Sequence, residues 1–218
     1  MISTFYCHGQ KIQISSPNND HIIDKIEKTH RFYEFPTLLS IAHNHTDELI
    51  GKNMIDVGAH MGNHTVYFSK FCLPNKVYSF EPNPVMFPYL EENIKLNNLQ
   101  NVEAFNIGLY SRETNGNLET PDTTNIGHSI IKESMDGSIK LKTLDSYNFD
   151  NVGLVKIDVE GNELEVMRGA INTLRVYQPV LIVESDPQNK RLLSIFVDKL
   201  GYKYAFAVGN NYFFTVKK

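Results

Sequence analysis

Cysteine is scarce in these 218 residues: only Cys7 and Cys72 are present. They form neither a CxxC pair nor a zinc-ligand spacing, and read as space-filling thiols in a reducing compartment. An excess of positive charge is lacking too. Against 25 acidic side chains stand 21 basic ones, a net charge of −4, with no basic block anywhere. A nucleic-acid backbone is therefore not the favoured partner. No apolar stretch reaches the roughly 20 residues that a bilayer-spanning helix needs. The N-terminal segment MISTFYCHGQ has no basic stretch followed by an apolar run, so no secretory signal is expected and a cytoplasmic location is. Internal repeats, low-complexity tracts and Pro/Gly/Ser linkers are absent as well. What is there is ordinary globular composition, 41% hydrophobic and 21% charged, in a chain long enough for a single domain with a real core.

Local patterns supply the organisation. The first 15 residues predict a hairpin turning at Gly9, and Asp20–Thr29 and Pro36–His43 predict short helices. Residues 1–50 read as an N-terminal extension. From 51 to 218, strand and helix patterns alternate. "NMIDVG", "KVYSFE" and "NVEAFNIG" are strands separated by the helices "NHTVYFSKF" and "PVMFPYLEENIKLNN". This rhythm predicts βαβ units, a parallel sheet and helices on both faces. Residues 110–147 break it. They are rich in Asn, Thr, Ser and Gly, hold only the short strand-like pieces "HSIIKE" and "SIKLKTL", and read as an irregular insert or lid. Strand "GLVKIDV", helix "NELEVMRGAINTL", strand "PVLIVES" and helix "NKRLLSIFVDKL" restore the pattern, and "YKYAFAV-GNN-YFFTV" closes it as an antiparallel hairpin.

Four stretches carry chemistry. In "IDVGAHMGNHT", Asp56 ends a strand while Gly58 and Gly62 frame a tight turn into a helix, where a ligand could approach the backbone. His60 occupies the place of the middle glycine in a dinucleotide-type turn. Asp56 would repel a pyrophosphate and attract a ligand with an ammonium and a sulfonium, which favours S-adenosylmethionine over NAD. In "FEPNP", Glu81 ends the second strand, about where nucleoside-binding folds place an acid for ribose hydroxyls. Asn83 before Pro84 suits a helix N-cap and first turn, and Pro88 predicts a kink or a late start. In "VKIDVEGNELEV", Lys156, Asp158 and Glu160 share one face of a strand, and Asn162 with Glu165 suits a capping box. In "VESDP", Glu184 and Asp186 fall beside Asp158, so the three carboxylates are candidates to hold Mg²⁺ or Mn²⁺. A structural Lys156 ion pair, or a solvated acidic rim, would produce the same letters. His60, His64 and His128 stand out only as isolated histidines, with His128 on the insert.

"MIDVGAHMGNHT", "SFEPNP", "LKTLDSY", "LVKIDVEGNELEVMRGA" and "VLIVESD" together resemble the FkbM family of S-adenosylmethionine-dependent O-methyltransferases. The resemblance runs from Tyr33 to Asp186, and "KIDVEGNELEVMRGA" is its most specific element. It implies the class I methyltransferase fold, an α/β Rossmann-like sheet of seven strands with the last one antiparallel. It implies cofactor contacts at Asp56, Gly58, His60, Gly62, Asn63, Thr65, Glu81 and Asn106, with Asn83 beside them. It implies a reacting site near Asp158 and Glu160, with Lys156 balancing charge, and a hydroxyl acceptor on a sugar, glycan or polyketide. A strand-tip carboxylate such as Asp158, or a metal, would take up the hydroxyl proton. "DVEG" stands where base methyltransferases carry a prolyl-aromatic motif, which argues against a nucleobase substrate. An NAD-linked oxidoreductase and a non-catalytic binding module are the rival classes.

Overall fold

Apolar residues at alternate positions and in short unbroken runs build the centre of the molecule. The computed structural model describes residues 1–18, 20–45, 49–119 and 129–216. It opens with a hairpin, β1 (Ile2–Cys7) and β2 (Gln10–Ser15), then helices α1 (His21–Thr29) and α2 (Phe35–Asn44). The alternating part follows as β3 (Asn53–Val57), α3 (Asn63–Phe71), β4 (Val77–Phe80), α4 (Phe87–Leu96) and β5 (Val102–Phe105). Four short strands come next: β6 (Gly108–Leu109), β7 (Thr114–Glu119), β8 (Ile130–Glu133) and β9 (Ile139–Lys142). The chain returns to the main sheet with β10 (Val152–Ile157), α5 (Glu163–Arg168), α6 (Ile171–Tyr177), β11 (Val180–Glu184), α7 (Lys190–Asp198), β12 (Tyr202–Val208) and β13 (Asn211–Val216).

The main sheet runs β12-β13-β11-β10-β3-β4-β5. β11, β10, β3, β4 and β5 are parallel, and β13 is antiparallel to both its neighbours. Alternation along each strand sends residues to two cores. Met54, Leu154 and Ile182 pack under the hairpin and α1–α4. Ile55, Val155, Ile157, Leu181 and Val183 pack under α5–α7. Asp56, Lys156 and Glu184 therefore lie on the first face, the one covered by the N-terminal segment. That segment is latched by Asn93 of α4, which is fully buried. Asn93 accepts from the Ser15 N–H at 2.6 Å and donates to the carbonyls of Ser15 and Met61, each at 2.8 Å. Among the described residues no helix is long and apolar enough to cross a membrane.

Several local expectations need correction. The insert is less irregular than its composition suggests, because β6-β9-β7-β8 form a second sheet. β7, "TNGNLE", escaped notice because its polar residues are paired with β8 and β9 rather than buried. Residues 120–128, including His128, lie outside the described residues. The helix expected from Asn162 onward is two helices broken at Gly169, where a Cβ would meet the Tyr110 carbonyl oxygen at 2.0 Å. The capping box is not made: Asn162 donates instead to the Ile131 carbonyl at 2.9 Å, and Glu165 pairs with Arg168. α4 starts late, at Phe87, with Pro88 in its first turn, where the missing N–H costs nothing.

Candidate active site

The site lies beyond the carboxyl ends of β3, β4, β10 and β11, where open α/β sheets bind ligands. Gly58 makes the turn after β3. Its φ is +78°, and a Cβ there would stand 1.7 Å from the Asp158 carbonyl oxygen. Only glycine lets the tips of β3 and β10 approach so closely. The ladder continues past β10, with the Asp158 N–H donating to the Val57 carbonyl at 2.9 Å. The next tip is held as firmly. Glu81 accepts from the His60 N–H and from the Asn83 N–H, both at 2.7 Å, one on each carboxylate oxygen. Burial pushes Glu81 up to about 7 against those two bonds, which lower it.

Gly58, His60, Glu81, Asn83, Asp158, Glu160 and Glu184 line one pocket. Its other walls come from elements whose role the sequence did not reveal. The N-terminal segment contributes Asp20, His21, Ile22 and Tyr33, and the insert contributes Leu118, Ser129 and Ile131. The remaining candidates stand behind this surface. Asp56 is fully buried and accepts from the Thr65 hydroxyl at 2.6 Å, which is also 2.8 Å from the Ser79 hydroxyl. Asn63 pins the Tyr33 backbone, accepting its N–H at 3.0 Å and donating to its carbonyl at 3.1 Å. Asn106 donates to the Glu81 carbonyl at 2.8 Å. Gly62 allows Leu90 to pack close, since a Cβ there would come within 2.6 Å of that side chain. These residues shape the turn and the tips rather than face the cavity.

The charged stripe is not one face of one strand. Lys156 is the only member within β10 and is 1% exposed. Asp158 follows the strand end, and Glu160 sits in the turn at φ +51°. The Lys156 Nζ donates to Asp158 Oδ2 at 2.9 Å. Burial works against both charges. The carboxylates of Asp158, Asp56, Glu184 and Glu34 nonetheless raise Lys156 above its ordinary value. Burial would likewise raise Asp158, but the charge and hydrogen bond of Lys156, with a hydrogen bond from Glu184, hold it below the usual carboxylate range. Glu184 takes the opposite course: burial first, then the charges of Asp158 and Glu34, push it up to about 9. Both causes favour the protonated form of Glu184 beside an ionised Asp158.

The proposed metal trio is not assembled. Among the described residues no group of three or more His, Cys, Asp or Glu side chains is arranged to hold a metal ion. Asp186 does not reach the pocket; its carbonyl accepts from the Asn189 N–H at 2.9 Å, at the head of α7. Repulsion between Asp158 and Glu184 is relieved instead by the Lys156 ammonium, 2.9 Å from Asp158 Oδ2, and favours a protonated Glu184.

Sequence reasoning also missed Glu34. It stands at φ +53°, accepts from the Asn211 side chain at 2.7 Å, and lies 3.4 Å from His64 Nε2. It ties the N-terminal segment to β13 and α3. Its neighbour Tyr33 is pushed up to about 12, by burial and then by the Glu34 charge. The sequence indicated only a short helix starting near Asp20, and nothing local showed that Asp20 and Tyr33 reach the strand tips.

Glycine turn, acid-tipped second strand, charged fourth tip and reversed last strand now stand in one arrangement, and a profile described as the methyltransferase FkbM domain matches residues 56–204. The chain belongs to the FkbM methyltransferase family. It is 31% identical over 169 residues to the hexuronic acid methyltransferase AglP of Haloferax volcanii, covering 71% of this chain and 68% of that one. It is 27% identical over 142 residues to Methyltransferase 1 of Beauveria bassiana, covering 53% of this chain and 57% of the relative, so it spans little more than half that protein's length. Among solved structures, methyltransferase FkbM from Methylobacillus flagellatus superposes with a TM-score of 0.58 at 16% identity, over 76% of this chain and 43% of that one. An rRNA methylase from Streptococcus thermophilus reaches 0.53 at 13% identity, over 82% of this chain and 96% of that one. These two share the fold, and the fold by itself does not select an acceptor.

Proposed function

We propose that the protein is an S-adenosylmethionine-dependent O-methyltransferase acting on a hydroxyl of a sugar or glycan. The observation that carries this reading is Glu81, fixed by two backbone N–H groups at the pocket edge beside the Gly58 turn. A carboxylate so held is prepared to accept two ribose hydroxyls. The donor set fits a cationic ligand. Among the described residues, Asp20, Glu81, Asp158 and Glu160 line the pocket against two histidines, so a sulfonium and an ammonium are favoured over a pyrophosphate. When bound, the cofactor supplies an activated methyl group, and the chain has mainly to position the acceptor oxygen. Gly58, the His60 backbone, Glu81 and Asn83 form the cofactor side, and the His60 side chain is not part of it. Asp158, Lys156 and Glu184 form a floor with a hydrogen-bond acceptor and a donor for the acceptor's hydroxyls, and Glu160 stands beside it. Leu118, Ser129 and Ile131 of the insert line the same pocket. The sugar class is supported by the likeness to the hexuronic acid methyltransferase.

Calorimetry with S-adenosylmethionine and with NAD, followed by transfer of labelled methyl to a panel of hexuronic acids and neutral hexoses, tests the reading. S-adenosylmethionine should bind, NAD should not, and label should appear on a sugar oxygen. Binding without transfer to any panel member would leave a binding module, and binding of NAD alone would point to hydride chemistry.

A further inference from the structure

We infer that His60 is the residue that takes the proton from the acceptor hydroxyl, and that Asp20, at the head of α1, positions its ring. This deepens the methyl-transfer reading and rests on it.

The backbone at His60 is left-handed, φ +52°, and is locked by its N–H bond to Glu81 at 2.7 Å. That conformation is uncommon for a residue with a Cβ and places the ring at the pocket wall. Both ring nitrogens are buried, and neither has a hydrogen-bond partner among the described residues. A polar ring stripped of water and left without partners is costly unless a ligand supplies them. One neighbour is ready to fix its orientation. Asp20 uses Oδ1 to cap α1, accepting from the N–H groups of Ile22 at 2.8 Å and Ile23 at 3.2 Å. Its other oxygen, Oδ2, lies 3.7 Å from His60 Nε2. A small rotation brings Nε2–H onto that oxygen and leaves the Nδ1 lone pair as the proton acceptor.

Three other acids of the pocket are worse placed to take a proton. Asp158 is already engaged by the Lys156 ammonium, burial and the charges of Asp158 and Glu34 push Glu184 toward its protonated form, and both Glu81 oxygens are bound by backbone N–H groups. Every charged group facing the His60 ring bears on its state. Burial holds the imidazole below its ordinary value and outweighs Asp20 from α1 and Asp158 beyond β10, which raise it, while Lys156 lowers it further. Glu81, from the end of β4, meets the His60 backbone. The ring is thus neutral at pH 7 and able to accept. In the transfer, the O–H bond breaks and its proton goes to Nδ1. The oxygen's electron pair forms the O–CH₃ bond, and the C–S pair stays with sulfur. The imidazolium so formed faces Asp20, whose charge stabilises it.

Two variants keep the fold and remove the chemistry. His60→Asn suits the left-handed backbone, and Asp20→Asn keeps a good helix cap without the charge. Proton NMR titration of the ligand-free protein reads the ring directly, with His60→Asn identifying its resonance. The His60 titration should lie below the ordinary histidine range and move lower still in Asp20→Asn, because an attractive charge has gone. With S-adenosylmethionine and methyl glucoside, an acceptor bearing hydroxyls only, His60→Asn should lower kcat by about 10²-fold. Its calorimetric affinity for S-adenosylmethionine should stay within about threefold of wild type, a factor far below one charge-assisted bond. Wild-type kcat should rise with pH as the ring loses its proton, a limb absent from His60→Asn and moved to lower pH in Asp20→Asn. If wild type binds and transfers but His60→Asn keeps its kcat, this inference alone falls. If His60→Asn loses cofactor affinity and not kcat, the ring is a cofactor contact and the inference again falls. Failure of wild type to bind S-adenosylmethionine overturns the methyl-transfer reading, and the inference with it.

Discussion

Replacing Lys156 with methionine tests the electrostatic heart of the site. Methionine retains most of the aliphatic stem, so packing changes little and the lost ammonium dominates. Lys156 is 1% exposed, and its Nζ stands 2.9 Å from Asp158 Oδ2. Asp56, fully buried in the adjacent strand, and Glu184 share the same field. Without the cation, Asp158 becomes an uncompensated charge in a largely water-excluded place. Breaking a buried pair in this way costs about 3–5 kcal/mol. For a chain of this size each kcal/mol moves Tm by about 2–4 °C, so Tm should fall by roughly 6–20 °C. Urea melts followed by circular dichroism suit the measurement, since the chain has no tryptophan. Adding Asp158→Asn removes the orphaned charge and should recover part of the loss, giving a coupling energy of about 1–3 kcal/mol. The sign with pH follows from Asp158, whose folded value is depressed. Its contribution is present above the unfolded value of about 3.9 and disappears as pH falls through the folded one. The gap between wild type and Lys156→Met should therefore close in acid, below about pH 4. A loss under about 1 kcal/mol at pH 7, or one of equal size at pH 3, would refute the assignment of Lys156 as the counter-charge.

Two further outcomes follow from the same geometry. Glu81→Gln should weaken S-adenosylmethionine by tens-fold, the scale of about 2–3 kcal/mol for charge-assisted bonds. Because burial raises Glu81 to about 7, wild-type affinity should strengthen between pH 6 and 8 as the carboxylate ionises; a flat calorimetric profile would remove Glu81 from the ribose site. Asn93→Leu leaves the N–H and carbonyl of Ser15 and the Met61 carbonyl without their partner. It should cost about 2–4 kcal/mol and speed amide exchange in β1 and β2 first, and unchanged exchange there would show that the hairpin is held by its apolar face alone.

Much of the scaffold is legible without coordinates. The βαβ rhythm, the reversed final hairpin and the strand-tip positions of Asp56, Glu81 and Glu184 follow from short-range pattern and turn chemistry. Glycine at 58 is demanded by a positive φ that a local turn signal announces. Other features depend on distant backbone. The break at Gly169 exists because the Tyr110 carbonyl passes there, and β7 exists because β8 and β9 pair with it. A window of "INTLRVY" or "TNGNLE" contains neither fact.

The same division runs through the site. The sequence by itself determined the FkbM motif, the order of the strands along the chain and, inside each strand, which residues alternate onto a common face. The tertiary structure decided that Lys156 answers Asp158 and Glu184 in place of a third carboxylate, that Asp56 turns inward to Thr65, and that Asp20 and Tyr33 wall the pocket. Side-chain alternation is a property of two neighbouring residues. The meeting of charges depends on which strands lie side by side, in what register, and on where a segment over a hundred residues away folds back across their ends. Burial then sets what each charge becomes, since an acid beside an ammonium stays ionised while one beside another acid keeps its proton.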